Sequence, residues 1–481
     1  MTDYEPVIGL EVHSELLTYS KIFCGCSARF GAEANENTCP LCLGMPGVLP
    51  VFNRQVVEFA IKAGLAAHCD IQLQSRWDRK NYFYPDLPKG YQITQFELPI
   101  CLGGRIDINV DGEARSIALT RIHMEEDTGK NIHDAHSDSS LVDYNRCGVP
   151  LLEIVSEPDI RTAAEAGAYL RKLRAILQYL EVCDGNMEEG SFRCDANVSV
   201  RPRGQTELGT KAEIKNLNSF RSVERAIDHE IKRQSEALAT GESIAQETRL
   251  WDADRERTRS MRSKEDSHDY RYFPEPDLLP LEVSAEWVER VRSELPELPD
   301  QRQQRFVERY DLPTYDAEVL TARKDLADYF EQVVGVHDHA KAASNWVMGE
   351  VLRLVRDRKL DQELVIANWP VTPRQLAGLI ALIDDGTISG KMAKGVFDEL
   401  IDSERSAVAV VESEGLSQVS DTAELEAIIA GVLEGQDEKI AEYRAGKEKM
   451  LGFFVGQVMK KTQGKANPKM VNEMLRKRLA S

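Results

Sequence analysis

Residues 8–13 read Ile8-Gly9-Leu10-Glu11-Val12-His13. Ile8, Leu10 and Val12 fall on one face of an extended segment. Gly9, Glu11 and His13 fall on the other, the period-2 alternation of a strand buried on one side. The same grammar recurs in Phe192-Arg193-Cys194-Asp195-Ala196-Asn197-Val198-Ser199-Val200. Such strands build an antiparallel or mixed sheet with one apolar and one polar face. Two helical segments interrupt them. One is Ala163 to Leu180, with a stripe of Tyr169, Leu170, Leu173, Ile176, Leu177 and Leu180, and the other runs from about Ser219 to Leu238. Without strict strand–helix alternation, the pattern predicts an α+β fold.

Working outward, Glu294-Leu295-Pro296-Glu297-Leu298-Pro299 is acidic and Pro-containing and reads as a boundary. Beyond it the periodicity is helical, as in Leu326 to Val334 and Trp346 to Val355, with turns at Pro370 and Pro373. A last basic helix is expected over Pro468 to Leu479, after a break at Gly464. The expected organisation is an α+β domain over 1–293, a helical domain over 294–402 and a small helical tail over 403–481. That is two to four domains' worth of chain.

The chain has 481 residues, 42% hydrophobic and 29% charged, an ordinary globular balance. No apolar run approaches the roughly 18 residues of a membrane span, and no membrane association is expected. The opening segment Met1 to Glu5 has neither a basic stretch nor an apolar core, so no signal peptide is expected. Nine mostly isolated cysteines suit a reducing compartment, and a cytoplasmic location is expected. The net charge is −20, which speaks against a dedicated nucleic-acid binder. The charge is unevenly spread, however. From Lys439 to the end there are eleven Lys and Arg against three Glu, a net +8 that leaves −28 on the preceding residues. A basic tail on an acidic body can meet a polyanion while the body does something else.

Four cysteines stand in two close pairs, Cys24-Gly25-Cys26 and Cys39-Pro40-Leu41-Cys42. Four thiolates in this arrangement suit tetrahedral Zn²⁺ in a structural role, with Gly25, Gly44 and Gly47 allowing tight turns. The alternative is four reduced cysteines in a small core. Glu11, His13 and Glu15 share one strand face. His123-Met124-Glu125-Glu126-Asp127 places three carboxylates in a row, and Glu126 shares a face with Ile122 and Met124. Glu153 lies among apolar neighbours in Leu151-Leu152-Glu153-Ile154-Val155 and needs a cationic partner. Arg193, Asp195, Asn197 and Ser199 share a further face. Carboxylates and a histidine on adjacent strands suit Mg²⁺ carrying a nucleotide phosphate. The alternative is surface charge on a one-sided sheet. Arg79 to Gln92 and Arg262 to Asp277 read as loops dense in aromatics and cations, able to stack bases and meet phosphates. No Walker loop, G-x-S-x-G elbow or kinase catalytic loop is present.

Several long phrases resemble one family. They include Gly9 to His13, the two cysteine pairs, Pro85-Asp86-Leu87-Pro88-Lys89-Gly90-Tyr91-Gln92, and His123 to Asp127. Gly148 to Asp159, Glu189-Gly190-Ser191, Arg193 to Asn197, Lys215 to Phe220 and Asp269 to Pro274 complete the set. The chain is similar over essentially its whole length to the GatB family, the B subunits of bacterial aspartyl/glutamyl-tRNA amidotransferases. Its Asn467-Pro468-Lys469 region is similar to that family's YqeY-type tail. The resemblance implies a cradle-shaped catalytic domain followed by the helical domain and the tail. It implies a carbon–nitrogen ligase that binds misacylated Glu-tRNA(Gln) or Asp-tRNA(Asn), phosphorylates the side-chain carboxylate with ATP and Mg²⁺, and lets ammonia displace phosphate. Ammonia would come through a tunnel from the glutaminase, GatA, while a third chain, GatC, would hold the other two together. A non-discriminating aminoacyl-tRNA synthetase is a further implied partner.

Carried onto this sequence, the family's metal site involves Glu11, His13, Glu126 or its neighbour Glu125, and Glu153. Lys80, Tyr82, Lys89, Glu189, Arg193, Asp195 and Asn197 would line the ATP, acyl-end or tunnel region. Cys24, Cys26, Cys39 and Cys42 match the family's zinc knuckle. The basic tail would meet the tRNA elbow. Two readings of other classes are a non-catalytic tRNA scaffold with structural zinc and an ATP-dependent ligase for a small carboxylate. The clustered carboxylates speak against the first, the basic tail against the second.

Overall fold

A computed structural model describes residues 4–133, 139–263, 269–360, 366, 368–416, 422–462, 466 and 468–480. The chain divides into two units, 1–299 and 300–481. Lys264 and Glu265, in the second aromatic loop, and Asn467, in the tail motif, lie outside the described residues.

The first unit is built on a mixed sheet. Ten of its thirteen strands form one continuous path: β1 (Tyr4–Glu15), β2 (Asp78–Asn81), β3 (Tyr91–Thr94), β4 (Glu113–Glu126), β5 (Pro150–Ser156), β6 (Phe192–Pro202), β7 (Ala212–Leu217), β8 (Glu247–Asp252), β9 (Arg257–Ser263) and β10 (Phe273–Pro274). Their spatial order is β9-β8-β7-β6-β1-β5-β4-β3-β2-β10. Every neighbouring pair on this path is antiparallel except β7 with β8, which are parallel. Strand β1 therefore sits mid-sheet, paired on both edges. The central strands read as the alternation predicts, with Ile8, Leu10 and Val12 buried beside Ile122, Met124, Leu152 and Ile154 in one core.

Helices cover that apolar face. They are α1 (Arg54–Ala66), α2 (Ala163–Tyr179), α3 (Phe220–Ala239) and α4 (Ala285–Ser293). Thr162 caps α2 and Ser219 caps α3, each side-chain oxygen accepting from a backbone N–H in the first turn. The sequence pattern predicts two helical segments here, so α1 and α4 are additions. Asn53 caps α1 through the Gln55 N–H, and nine of its residues are buried. Its polar residues Arg54, Gln55, Glu58 and Lys62 fall together on one face at helical spacing, leaving the rest to the core.

The expected loops at 79–92 and 262–277 are partly strand. β2 pairs with β3 and with β10, and the Asn81 N–H donates to the Tyr270 carbonyl at 2.9 Å. The two aromatic segments thus meet.

The second unit is helical and has two apolar clusters. One runs from Phe306 to Val411 and includes α5 (Lys324–Val336) and α6 (Pro373–Asp384). The other runs from Leu425 to Leu479 and includes α7 (Pro468–Ala480). Ala407, Val410 and Val411 pack in the first of these, so the chain after residue 402 still belongs to it.

Candidate metal centre on the polar sheet face

Antiparallel register decides which carboxylates meet. On one edge of β1, Glu11 faces Asp195 and His13 faces Arg193. On the other edge His13 faces Glu153, which in turn faces His123 on β4. Glu125 is two residues from His123 and so shares its face. The His13 Nε2 atom consequently lies 3.5 Å from Glu153 Oε2, 3.6 Å from Glu125 Oε1 and 3.7 Å from Glu11 Oε1. His123 Nε2 is 3.5 Å from the same Glu153 oxygen, and Arg121 Nη2 is 3.8 Å from the other. Ligand atoms of His13, Glu125 and Glu153, and of Glu11, His13 and Asp195, each lie within 4.8 Å of one another.

The electrostatics are those of a place short of positive charge. Burial and the neighbouring Glu153 push the Glu125 carboxyl up to about 7. The same two causes raise Glu11. Burial works against the His13 charge, but the hydrogen bond to Glu153 and the surrounding carboxylates raise it to about 9. Burial lowers His123 to about 4, with Arg121 and Lys80 adding to the effect. Burial also works against the Glu153 charge, yet the two histidines and Lys80 hold it well below its ordinary value. The Glu125 Oε2 atom is buried without a hydrogen-bond partner. A buried carboxylate oxygen with no donor, in a set of four carboxylates and an imidazole, fits a hard divalent cation.

Glu126 does not join this group. It shares the face of Ile122 and Met124, which is the core side of the sheet. There it pairs with the buried Lys89 ammonium and accepts from the Ile93 N–H at 2.9 Å. The register therefore selects Glu125 as the carboxylate beside His13.

Lys80 is on the polar side, its ammonium 5.1 Å from the Tyr270 ring centre and 6.0 Å from that of Tyr82. Glu125 and Glu153 outweigh its burial and raise its pKa. Tyr82 donates to Gln92 at 3.1 Å. Arg193 Nη2 binds Asp127 at 2.8 Å, with Arg146 at 3.4 Å from the same oxygen. Asp195 is bound by Lys215 at 2.5 Å. Asn197 lies two residues beyond Asp195 on β6, opposite Gly9. Glu189 stands apart, lining a cavity of about 560 Å³ with Glu15, Tyr19, Arg29 and Ser191. Sequence reasoning passed over His123, Arg121, Asp127 and Lys215 as site residues. The i, i+2 spacing of His123 and Glu125 was the available signal.

The four knuckle cysteines also converge. All four sulfurs lie within 4.8 Å of one another, with Cys42 Sγ 3.7 Å from both Cys24 and Cys39. A hydrogen bond from Cys24 lowers the Cys42 thiol to about 4, with Lys21 assisting against burial. Cys24 is raised in exchange, and burial and Cys42 push Cys26 up to about 11. One thiolate here suppresses ionisation of its neighbours, because like charges this close repel. Lys21 is fully buried, its ammonium donating to the Asn37 carbonyl at 2.7 Å and lying 3.4 Å from Cys42 Sγ. Gly44 takes φ of 64° where a Cβ would stand 3.1 Å from the Lys89 backbone, so this turn needs glycine. Gly47 also has positive φ, whereas Gly25 does not.

Residues 6–289 match the family model described as the GatB/GatE catalytic domain, and residues 328–479 match the GatB domain. The B subunit of the aspartyl/glutamyl-tRNA(Asn/Gln) amidotransferase from Syntrophotalea carbinolica is 59% identical over 476 residues, covering 99% of this chain and 98% of its own. The protein of the same name from Geobacter sp. strain M21 is 58% identical over 478 residues, covering 99% of each. That of Thermodesulfovibrio yellowstonii is 56% identical over 472 residues, covering 98% of each.

Proposed function

Because the chain belongs to the GatB/GatE family, we propose that it is the B subunit of an ATP-dependent amidotransferase acting on Glu-tRNA(Gln), Asp-tRNA(Asn) or both. In this reading it activates the side-chain carboxylate of the attached amino acid by phosphorylation, and ammonia then displaces phosphate. A carboxylate is a poor electrophile because its oxygen leaves badly, and phosphorylation turns that oxygen into part of a good leaving group. The observation that carries the reading is the convergence of His13, Glu125 and Glu153, with Glu11 and Asp195 beside them, on one face of the sheet.

These five residues would hold a magnesium ion, which supplies positive charge opposite the γ-phosphate and the attacking carboxylate. Lys80 adds a cation next to Glu125 and Glu153, its ammonium lying over the rings of Tyr270 and Tyr82. His123 backs Glu153 from the next strand, its Nε2 3.5 Å from the Glu153 Oε2. Asp127 holds the Arg193 guanidinium in place at the rim of the group. Burial of Glu125 and Glu153 keeps bulk water from an acyl phosphate formed there.

The cysteine knuckle would hold a structural zinc ion. Ammonia would be supplied by a glutaminase of the GatA type, with a GatC-type chain completing the complex, since this chain carries no recognisable hydrolase nucleophile. The basic tail would engage the tRNA, and Arg476, Lys477 and Arg478 are exposed on α7.

The test is ATP-dependent amidation of misacylated tRNA with ammonium chloride in place of glutamine. His13→Ala and Glu153→Gln should each lower this rate by on the order of 10³-fold while tRNA binding persists. Ammonia should not rescue them, because activation and not ammonia supply is broken. Near wild-type rates in both variants would place the activation site elsewhere.

A further inference from the structure

We propose that His337, His339 and Asp384 form a surface site for a borderline divalent transition ion such as Zn²⁺ or Ni²⁺, separate from the sheet centre and the cysteine knuckle. His337 caps the C-terminus of α5, its N–H donating to the Val333 carbonyl at 3.0 Å. His339 stands at the start of the next helix, Ala340–Trp346. His337 has extended backbone angles, φ −138° and ψ 110°, whereas His339 departs from them at φ −144° and ψ 72°. A tight turn, closed by the His339 N–H donating to the His337 carbonyl at 2.8 Å, brings the two imidazole rings to 6.4 Å centre to centre. Asp384 is the last residue of α6, and α5 and α6 share a core through Phe330, Val333, Leu379 and Ile380. The three ligands thus stand on three helix ends, and all three helices contribute to that one core.

The contact geometry is specific. One oxygen, Asp384 Oδ2, lies 2.7 Å from His337 Nε2 and 2.6 Å from His339 Nδ1. All three donor atoms lie within 4.8 Å of one another. Three electron-pair donors brought this close need positive charge between them. Two N–H protons can supply it, and so can a single metal ion, which binds neutral imidazole and carboxylate. With metal–ligand distances of about 2.0–2.1 Å, tetrahedral donors stand roughly 3.3 Å apart, so the carboxylate need withdraw by only about 0.7 Å. The triad is partly exposed, with side-chain accessibilities of 30%, 46% and 31%, leaving room for that movement and for water as remaining ligand. Two imidazoles and one carboxylate select the nitrogen-preferring transition ions over Mg²⁺ and Ca²⁺. A bound ion would tie the end of α5 to the end of α6.

The experiment uses the full-length, tag-free chain with its knuckle zinc-loaded and loose metal removed. Millimolar Mg²⁺ is kept in the buffer to occupy the carboxylate centre. Calorimetric titration with Ni²⁺ should show one further equivalent, and His339→Ala should weaken it at least about tenfold. Ni²⁺ should also raise the melting temperature of the helical unit in the wild type and not in the variant. Asp384→Asn, which keeps the size of the side chain, serves as a second variant and should likewise weaken binding. An isotherm unchanged by both substitutions, or no further equivalent in the wild type, would reduce the triad to hydrogen bonds alone and overturn the site.

Discussion

Glu125→Gln and Glu126→Gln should give opposite phenotypes, although the two residues are neighbours in sequence. Glu125 is 2% exposed, its Oε1 3.6 Å from His13 and its Oε2 without a partner. An amide in its place gives up no close protein hydrogen bond. The Glu125 carboxyl is raised to about 7, above its ordinary 4.5. Its protonated form therefore contributes stability that is present below pH 4.5 and is lost as pH rises through about 7. Above that range the charged form opposes folding, so Glu125→Gln should melt at or above the wild type at pH 7.5 in magnesium-free buffer. Its amidation rate with ammonium chloride should fall by on the order of 10³-fold, about 4 kcal/mol of transition-state stabilisation, because a ligand charge is gone. Glu126 is 1% exposed and its partner Lys89 has a side chain only 6% exposed. Glu126→Gln leaves that ammonium buried without its counter-charge, at a cost of about 3–5 kcal/mol. Melting should drop by on the order of 10 °C. Amidation per folded molecule should stay within about tenfold of wild type. Thermal melts and the ammonium chloride assay on both variants decide it. A stable, inactive Glu126→Gln beside an active Glu125→Gln would refute the register argument.

Cys39→Ser should release about one equivalent of zinc, read by metal analysis, and lower the stability of the first unit, because metal binding is part of its folding free energy. Wild type carrying no zinc after mild purification would count against the knuckle. Changing Arg476, Lys477 and Arg478 together to Gln should weaken tRNA binding and flatten its dependence on salt by up to about 3 in log–log slope, read by filter binding at several ionic strengths. An unchanged slope would make the tail purely structural. Glu331 is opposed by burial but held down to about 2 by Arg305 and Arg302. Its folded value lies below its ordinary one, so the stability it contributes above about pH 4.5 should be lost as pH falls through about 2. Glu331→Gln should show a shallower acid slope in pH-dependent melts, and parallel curves would exclude the pair as a source of acid sensitivity.

Alternation by itself located β1, β6 and the apolar stripe of α2, because burial on one face imposes period 2 on a strand and period 3.6 on a helix. The cysteine pairs were legible for a similar reason, since ligand type and spacing are local properties. The stripe of α1, with Arg54, Gln55, Glu58 and Lys62 together on its outer face, carried the same period and was missed. Local reading also set Glu126 with Ile122 and Met124, which is where it stands. What it lacked was which of the two faces of β4 is the polar one.

That choice is made by pairing. Glu153 stands opposite both His13 and His123, and through this double register the odd-numbered face of β4 meets the odd-numbered face of β1. His13 and Glu125 are over a hundred residues apart, and a one-residue slip on either strand would send one of them into the core. The sequence by itself determined the strands, the helix stripe and the kinds of ligand present, since each follows from neighbours a few residues away. Only the tertiary structure decided that Glu125 joins His13, Glu153, Glu11 and Asp195 while Glu126 turns inward to Lys89, because strand order and register are settled by burial of the whole sheet.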